Sequence, residues 1–298
     1  MYLVAFAVAY LLFRYQCVHD GVIDMGPEES QDLFLIGILL LLLCARVFSC
    51  FFYSDSHYYL THPWMIIWPF RDGRFVGLPG MSYHGGVAGA VLGGLIFSRR
   101  HKRSFLKLAD IVTAAIPMGY TFGRIGNFIN AELYGRVTAS PLGMVFPGAE
   151  RFPSTLGWVR EIADKTGITY SPGEFLNLPR HPSQLYEALF EGVVLFLILW
   201  FIVRPVKIKR KMPDGTVFSA YLIGYGVFRF FIEYCRQPDA DIGYVLSFGE
   251  GSGNIALFTS FLNISKGQVF CLVMALLGIA LECFVFWRRK HEGDRENS

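Results

Sequence analysis

Charged residues are scarce in this chain of 298 residues. Asp, Glu, Lys and Arg together make up 17% of it, whereas about 25% is usual for a soluble globular domain. Hydrophobic residues account for 53%, and the mean hydropathy is +0.40. This balance excludes a disordered or coiled-coil chain and argues against a soluble two-domain enzyme. The net charge of +3 is too small to indicate a nucleic-acid partner.

The sequence also lacks the patterns of several common sites. Its six cysteines include no C-x-x-C pair and fall mostly in apolar runs, so they predict neither a disulfide framework nor a zinc site. No G-K-[ST] follows the regularly spaced glycines Gly85, Gly89 and Gly93, which excludes a P-loop there. The acidic residues form no triad at ligand spacing, and the D-x-x-D-G-x-x-A-R pattern of metal-dependent phosphatidyl transferases is absent. We therefore expect neither a metal nor a cofactor.

Long apolar runs dominate the sequence. A helix needs about 20 apolar residues to cross a bilayer. Six runs meet or approach this length, at residues 33–53, 84–98, 108–123, 184–203, 217–234 and 268–287. A seventh run, residues 1–13, reaches only about 20 Å as a helix. We expect this first span to be shortened by a late start codon, an expectation that N-terminal sequencing of the native protein could refute by finding Met1.

The sequence thus predicts an all-α polytopic membrane protein with about seven transmembrane helices in a single membrane domain. Cytoplasmic loops are enriched in Lys and Arg. Residues 99–107 and 204–211 carry five each, and residues 288–298 carry four. We therefore predict that the N-terminus is outside and the C-terminus is cytoplasmic. Residues 137–181, between the fourth and fifth spans, then form a small external cap with one short helix around residues 156–166.

Two predicted spans carry polar stripes, although a charge inside a bilayer costs about 2.5–3.5 kcal/mol on translocon scales. The stripe on the sixth span is spaced i, i+4, i+8 and consists of Tyr225, Arg229 and Glu233. The stripe on the fifth span consists of Gln184, Glu187 and Glu191. Together the stripes predict a polar interior cavity. The alternative is that they pair with each other and serve only helix assembly.

The stretch GRIGNFINAELYGR, residues 123–136, closes the fourth span. On a helix, Asn127 and Asn130 share one face, with Arg124 beside it. A guanidinium group offers donors suited to phosphate, and amides add neutral donors. Glu132 follows directly. The stretch predicts a phosphate-binding site, and the alternative is a helix end whose arginine reaches the membrane interface.

The stretch PGMSYHGG, residues 79–86, precedes the third span and places His84 at its start. The positive potential of a helix N-terminus disfavours protonation, which would leave a neutral imidazole available as a base. The alternative is an interfacial capping residue. Further along, Gly85, Gly89 and Gly93 recur every four residues and predict close helix packing.

The stretch PRHPSQLYE enters the fifth span from outside, where Gln184 and Tyr186 either shape the cavity or only anchor the helix entry. Polar residues from four spans converge at the external half of the membrane. This pattern indicates a site that acts on a lipid headgroup in the outer leaflet.

These residues carry a family resemblance. GRIGNFINAELYGR resembles the signature of bacterial phosphatidylglycerol–prolipoprotein diacylglyceryl transferases, and MSYHGG, RHPSQLYEALFEG and YLIGYGVFRFFIEYCRQPD match in the family's order. The resemblance covers nearly the whole chain. It is weaker at residues 149–176 and 241–265. Members of the family also have a Tyr-bearing stretch just before the position that corresponds to the start of this chain.

The resemblance implies a seven-helix bacterial inner-membrane enzyme with a periplasmic active site. Such an enzyme transfers the diacylglyceryl group of phosphatidylglycerol to the lipobox cysteine of a prolipoprotein signal peptide, forming a thioether and releasing glycerol 1-phosphate. Its partners are those two substrates and the bilayer. The functional positions of the family correspond to His84, Arg124, Asn127, Glu132, Gly135, Tyr225 and Arg229.

The resulting hypothesis assigns a role to each site residue. Arg124 and Arg229 clamp the lipid phosphate, and His84 takes the proton of the thiol. The expected catalytic residues are His84, Arg124, Tyr225 and Arg229. The expected substrate-binding residues are Arg124, Asn127, Asn130, Glu132, Gly135, Gln184 and Arg229. The alternatives are an anion or lipid transporter or channel that uses the two arginines for selectivity, and a scaffold with structural salt bridges.

Overall fold

The fold is almost entirely helical. It is a computed structural model that describes residues 1–52, 56–71, 73–75, 77, 80–237, 244–248 and 254–296. The helices are α1 (Tyr2–His19), α2 (Pro27–Phe52), α3 (Ser56–Thr61), α4 (Tyr83–Arg100), α5 (Phe105–Ile129), α6 (Gly157–Thr166), α7 (Ser183–Arg210), α8 (Thr216–Ile232) and α9 (Lys266–Glu296). A 3₁₀ turn covers Pro63–Ile66. The prediction of an all-α protein is confirmed.

In the part of the chain that the structure describes, four helices are long and apolar enough to cross a membrane: α2, α5, α7 and α9. Helices α1 and α8 are apolar but shorter, and α4 has 18 residues. The helices extend past the apolar runs because polar turns continue them. Helix α1, for example, continues past residue 13 to His19, and in this extension the Arg14 guanidinium donates to Met25 O (2.7 Å) and Ser30 Oγ (2.9 Å). The seven-span count and its single domain remain predictions.

Within the described residues the strands are short and form three antiparallel pairs, which leave the fold class unchanged. The pairs are β1 (Phe70–Arg71) with β2 (Arg74–Phe75), β3 (Phe152–Pro153) with β4 (Phe175–Leu176), and β5 (Tyr244–Leu246) with β6 (Ile264–Ser265). In the second pair Phe152 lies opposite Leu176.

The chain divides into two compact units, residues 14–109 and residues 1–13 with 110–298. In the first unit α2 packs against α4 through glycines. A Cβ on Gly89 would collide with Leu40 O and come within 2.8 Å of Cys44 Cβ, and one on Gly85 would lie 2.9 Å from Ala45 Cα. The predicted close packing of this stripe is confirmed, because hydrogen is the only side chain that fits there.

In the second unit α5 packs against α7 where α7 is wound as a π-helix, at Ala188–Val194. The wide turn leaves carbonyls for other donors, and Thr121 Oγ1 donates to Ala188 O (3.4 Å). Gly192 lies against Thr121, whose Cβ would be 3.1 Å from an added methyl. A second π turn covers Leu199–Val203. No sequence pattern predicted this winding.

The opposite end of the same unit holds a buried charge cluster. Asp110 pairs with Lys207 Nζ (2.6 Å) and accepts the backbone N–H groups of Gly215 and Phe218, each at 2.8 Å. The carboxylate therefore caps the start of α8 from another helix, a structural role for one of the charges inside the apolar runs.

The segment predicted as a cap has a small core of its own. The helix expected around residues 156–166 is confirmed as α6, and it ends at Gly167 in the left-handed conformation (φ 71°). Val159 and Ala163 on its inner face are buried against Leu178 and neighbouring apolar residues. The external position of this segment remains a prediction.

Candidate active site

Helices α5, α7 and α8 bring two of the predicted arginines onto one carboxylate. Arg124 Nε lies 2.8 Å from Glu187 Oε2, and Arg229 Nη1 lies 3.1 Å from Glu187 Oε1. The Glu187 side chain is fully buried, whereas each arginine keeps 15% of its side chain exposed. The two guanidinium groups therefore converge, as the phosphate hypothesis requires, but a protein carboxylate lies between them.

Three further charges complete the cluster. Arg229 also lies 3.7 Å from Glu191 and 3.1 Å from Glu233. Arg236, just beyond α8, approaches Glu187 (2.8 Å) and Glu233 (3.7 Å). We call these six residues the ion network: Arg124, Glu187, Glu191, Arg229, Glu233 and Arg236. It contains three guanidinium groups and three carboxyl groups. The polar stripes thus do pair with each other, which was the alternative interpretation.

Tyr120 joins this cluster and was missed by the sequence analysis. Its hydroxyl accepts from Arg124 Nε (2.7 Å) and donates to Glu191 Oε2 (2.6 Å). The ring of the predicted residue Tyr225 packs edge-on against the Tyr120 ring, with centroids 5.9 Å apart. The i, i+4 spacing of Tyr120 and Arg124 on one helix face was the signal that could have found it.

A pocket of about 130 Å³ opens beside Arg124 at the end of α5. Its lining consists of Met1, Gly123, Gly126, Asn127, Ile129, Asn130 and Glu132. Asn127 Nδ2 donates to Glu132 Oε1 (2.8 Å), and Asn130 Nδ2 approaches the same oxygen (3.4 Å). Arg124 Nη1 donates to Asn127 Oδ1 (3.5 Å). The hydrogen bonds therefore link the pocket to the ion network.

Gln184 and Gly135 support the chain segment that follows Glu132, a residue of the pocket lining. Gln184 is fully buried and donates from Nε2 to Glu132 O (2.6 Å). Gly135 N donates to His181 O (2.9 Å). A Cβ on Gly135 would collide with Cys235 O and lie 3.0 Å from His181 O. The backbone at position 135 can therefore approach residues 181 and 235 this closely only because it carries no side chain.

Tyr186 lies outside the ion network, with its hydroxyl 3.4 Å from His181 Nδ1. Burial, with the nearby positive charge of Arg136, holds the pKa of His181 below its ordinary value, which favours a neutral imidazole at pH 7.

His84 is the second residue of α4 in the other compact unit. Ser82 caps this helix, with its hydroxyl accepting from Gly85 N (3.3 Å). The side chain of His84 itself lies outside the described residues, so its predicted role as a base stays a prediction.

Comparison with known proteins shows which family this chain resembles. Residues 1–284 match the family of the prolipoprotein diacylglyceryl transferases. The chain belongs to this family. The resemblance carried by GRIGNFINAELYGR is therefore confirmed, and so are the polytopic membrane fold and the transferase activity. The transporter, channel and scaffold alternatives are wrong.

Curated members of the transferase family from several bacteria align over almost the whole chain. The phosphatidylglycerol–prolipoprotein diacylglyceryl transferase of Treponema denticola is 47% identical over 308 residues, covering 97% of this chain and 89% of the relative. That of Treponema pallidum is 49% identical, covering 94% and 86%. That of Chlorobaculum tepidum is 40% identical, covering 94% and 82%.

The crowding at Gly135 leads to a prediction for the transferase. We expect Gly135→Ala to lower the transfer rate by about 100-fold, because a displacement of about 1 Å near the pocket suffices for a loss of that size. Gly148→Ala is the matched control, since nothing lies within 4 Å of its added methyl group. Steady-state assays of both purified variants check this. Equal transfer rates for the two variants would show that the close packing at residue 135 does not affect the geometry of the site.

Proposed function

We propose that this transferase takes its diacylglyceryl group from phosphatidylglycerol and attaches it to the lipobox cysteine of a prolipoprotein. A thioether forms and glycerol 1-phosphate leaves. The single observation that supports this most strongly is the convergence of Arg124 and Arg229, from different helices, beside a pocket lined by amides. The names of the curated relatives specify the same two substrates.

The chemistry explains why paired guanidinium groups suit this site. The cysteine sulfur forms a bond to the glyceryl carbon as the bond from that carbon to phosphate oxygen breaks. The electron pair of the broken bond stays on the phosphate, which gains one negative charge, and the thiol proton balances it. Arg124 and Arg229 stabilise this growing charge. Asn127 and Asn130 add neutral donors, with Glu132 orienting their amides.

The proton of the thiol needs an acceptor, because the thiolate is the nucleophile. His84 is the proposed base, at the N-terminus of α4. Tyr225 is proposed to support the site through its packing on Tyr120, while Gly135 and Gln184 maintain the pocket wall.

We further propose that the protein lies in the bacterial inner membrane with its N-terminus periplasmic and its C-terminus cytoplasmic. The basic segments 99–107, 204–211 and 288–298 support this orientation. The pocket, at the end of α5, then faces the periplasm, because α5 begins directly after the basic segment 99–107 and α7 ends in the basic segment 204–211.

Incubation with phosphatidylglycerol vesicles and a lipobox peptide tests the proposal. Mass spectrometry is expected to find a diacylglyceryl mass gain on the peptide cysteine and glycerol 1-phosphate in solution. A peptide with serine in place of cysteine is the control and should gain nothing. No gain on the cysteine peptide, or an equal gain with phosphatidylethanolamine vesicles, would overturn the assignment of the lipid donor.

A further inference from the structure

Glu187 has more cationic neighbours than any other described carboxylate of the ion network. Its Oε1 lies 3.1 Å from Arg229 Nη1 and 2.8 Å from Arg236 Nη1. Its Oε2 lies 2.8 Å from Arg124 Nε and 3.3 Å from the Tyr120 hydroxyl. The carboxylate therefore occupies the position between the arginines where a substrate phosphate would lie.

The charge balance of the network limits how phosphate can bind. Three guanidinium groups already face three carboxylates. A lipid phosphodiester adds one negative charge, and its cleavage product carries more. Excess negative charge in a poorly solvated site is unfavourable. Phosphate therefore competes with the protein carboxylates for the N–H donors of Arg124 and Arg229.

The hydrogen bonding of the network is also incomplete. Arg229 Nη1 is buried and makes no hydrogen bond with the described residues, although it lies near Glu187 and Glu191. Glu191 Oε1 and Glu233 Oε2 are buried acceptors in the same condition among the described residues. Buried groups left this way are destabilising and often mark a binding site. The network has donors and acceptors to spare for a ligand.

We infer that Glu187 is a positioning residue that competes with phosphate for Arg124 and Arg229 and so promotes the release of glycerol 1-phosphate. The inference rests on the proposed function. Before binding, Glu187 neutralises the two arginines and keeps them ordered. The phosphodiester takes over part of their N–H donors. Once the product has formed, the carboxylate reclaims the arginines and lowers the affinity for the departing anion.

The effect of Glu187→Gln on product inhibition tests this role. The amide is isosteric but carries no charge, so free glycerol 1-phosphate is expected to inhibit the variant at about tenfold lower concentration. We expect kcat to fall while KM for phosphatidylglycerol stays level or falls. A purely structural carboxylate predicts a different result, in which kcat falls and inhibition is unchanged or weaker. That result would overturn the inference.

Two further variants keep the test decisive. Glu161→Gln removes an exposed carboxylate in α6, which pairs only with Lys165 among the described residues, and should behave as wild type. If Glu187→Gln does not fold, Glu187→Asp draws the carboxylate back from the arginines. Inhibition several-fold stronger than in wild type supports the inference, and wild-type inhibition contradicts it. Turnover of the wild-type protein in the same assay separates this result from a failure of the proposed function.

Discussion

Arg124→Ala and Arg229→Ala are each expected to abolish diacylglyceryl transfer, lowering the rate by about 1,000-fold or more. Both guanidinium groups face the position proposed for the phosphate, and the leaving group gains charge as the bond breaks. Lysine should not substitute for either residue, because an ammonium cannot offer two parallel donors to one phosphate. Transfer from phosphatidylglycerol to a lipobox peptide, followed by mass spectrometry, measures the loss.

The structural part of this loss must be separated from the catalytic part, because removing one member of a buried ion network leaves an uncompensated charge. Arg124→Gln combined with Glu187→Gln removes one charge of each sign and keeps the balance. We expect this double variant to recover the folded yield but not the transfer activity. Arg160→Ala in α6, whose guanidinium donates to Ser154 O (3.1 Å), is a control remote from the network. Wild-type activity in either single variant would exclude the phosphate clamp.

Gly89→Ala is expected to have the largest effect on stability. The added methyl group collides with the α2 backbone at Leu40 O and lies 2.7 Å from Leu40 C. Rigid backbone cannot yield as a side chain does, so α2 and α4 must separate, and the cost is about 3 kcal/mol. The expected result is a clearly lower thermal midpoint of the purified protein in detergent.

Gly86→Ala provides a control in the same helix. Its methyl group would lie 3.7 Å from Ala45 Cβ, which is ordinary contact. Both variants replace glycine with alanine in α4, so the change in helix propensity is the same. They differ only in the atoms that the added methyl group contacts. Equal thermal midpoints would show that the glycine stripe of α4 does not carry the packing.

Much of this protein could be predicted from local patterns. Apolar runs and basic loops indicated the membrane class, because transfer into lipid depends on the composition of each segment by itself. The stripe of Gly85 and Gly89 predicted a close contact, because every fourth residue of a helix lies on one face. The stretch GRIGNFINAELYGR led to the correct family, since its order of residues is highly specific.

The sequence by itself determined the fold class, the glycine packing face and most of the polar residues that form the candidate site, although not Tyr120 or Arg236. Only the tertiary structure decided which of those residues meet. Glu187 lies between Arg124 and Arg229, Tyr120 bridges Arg124 to Glu191, and a π turn carries Glu191. Helical spacing predicts which residues share a face of one helix, but it does not predict which face of another helix packs against them. In a site with little water, each charge takes the partner that the packing of distant segments supplies.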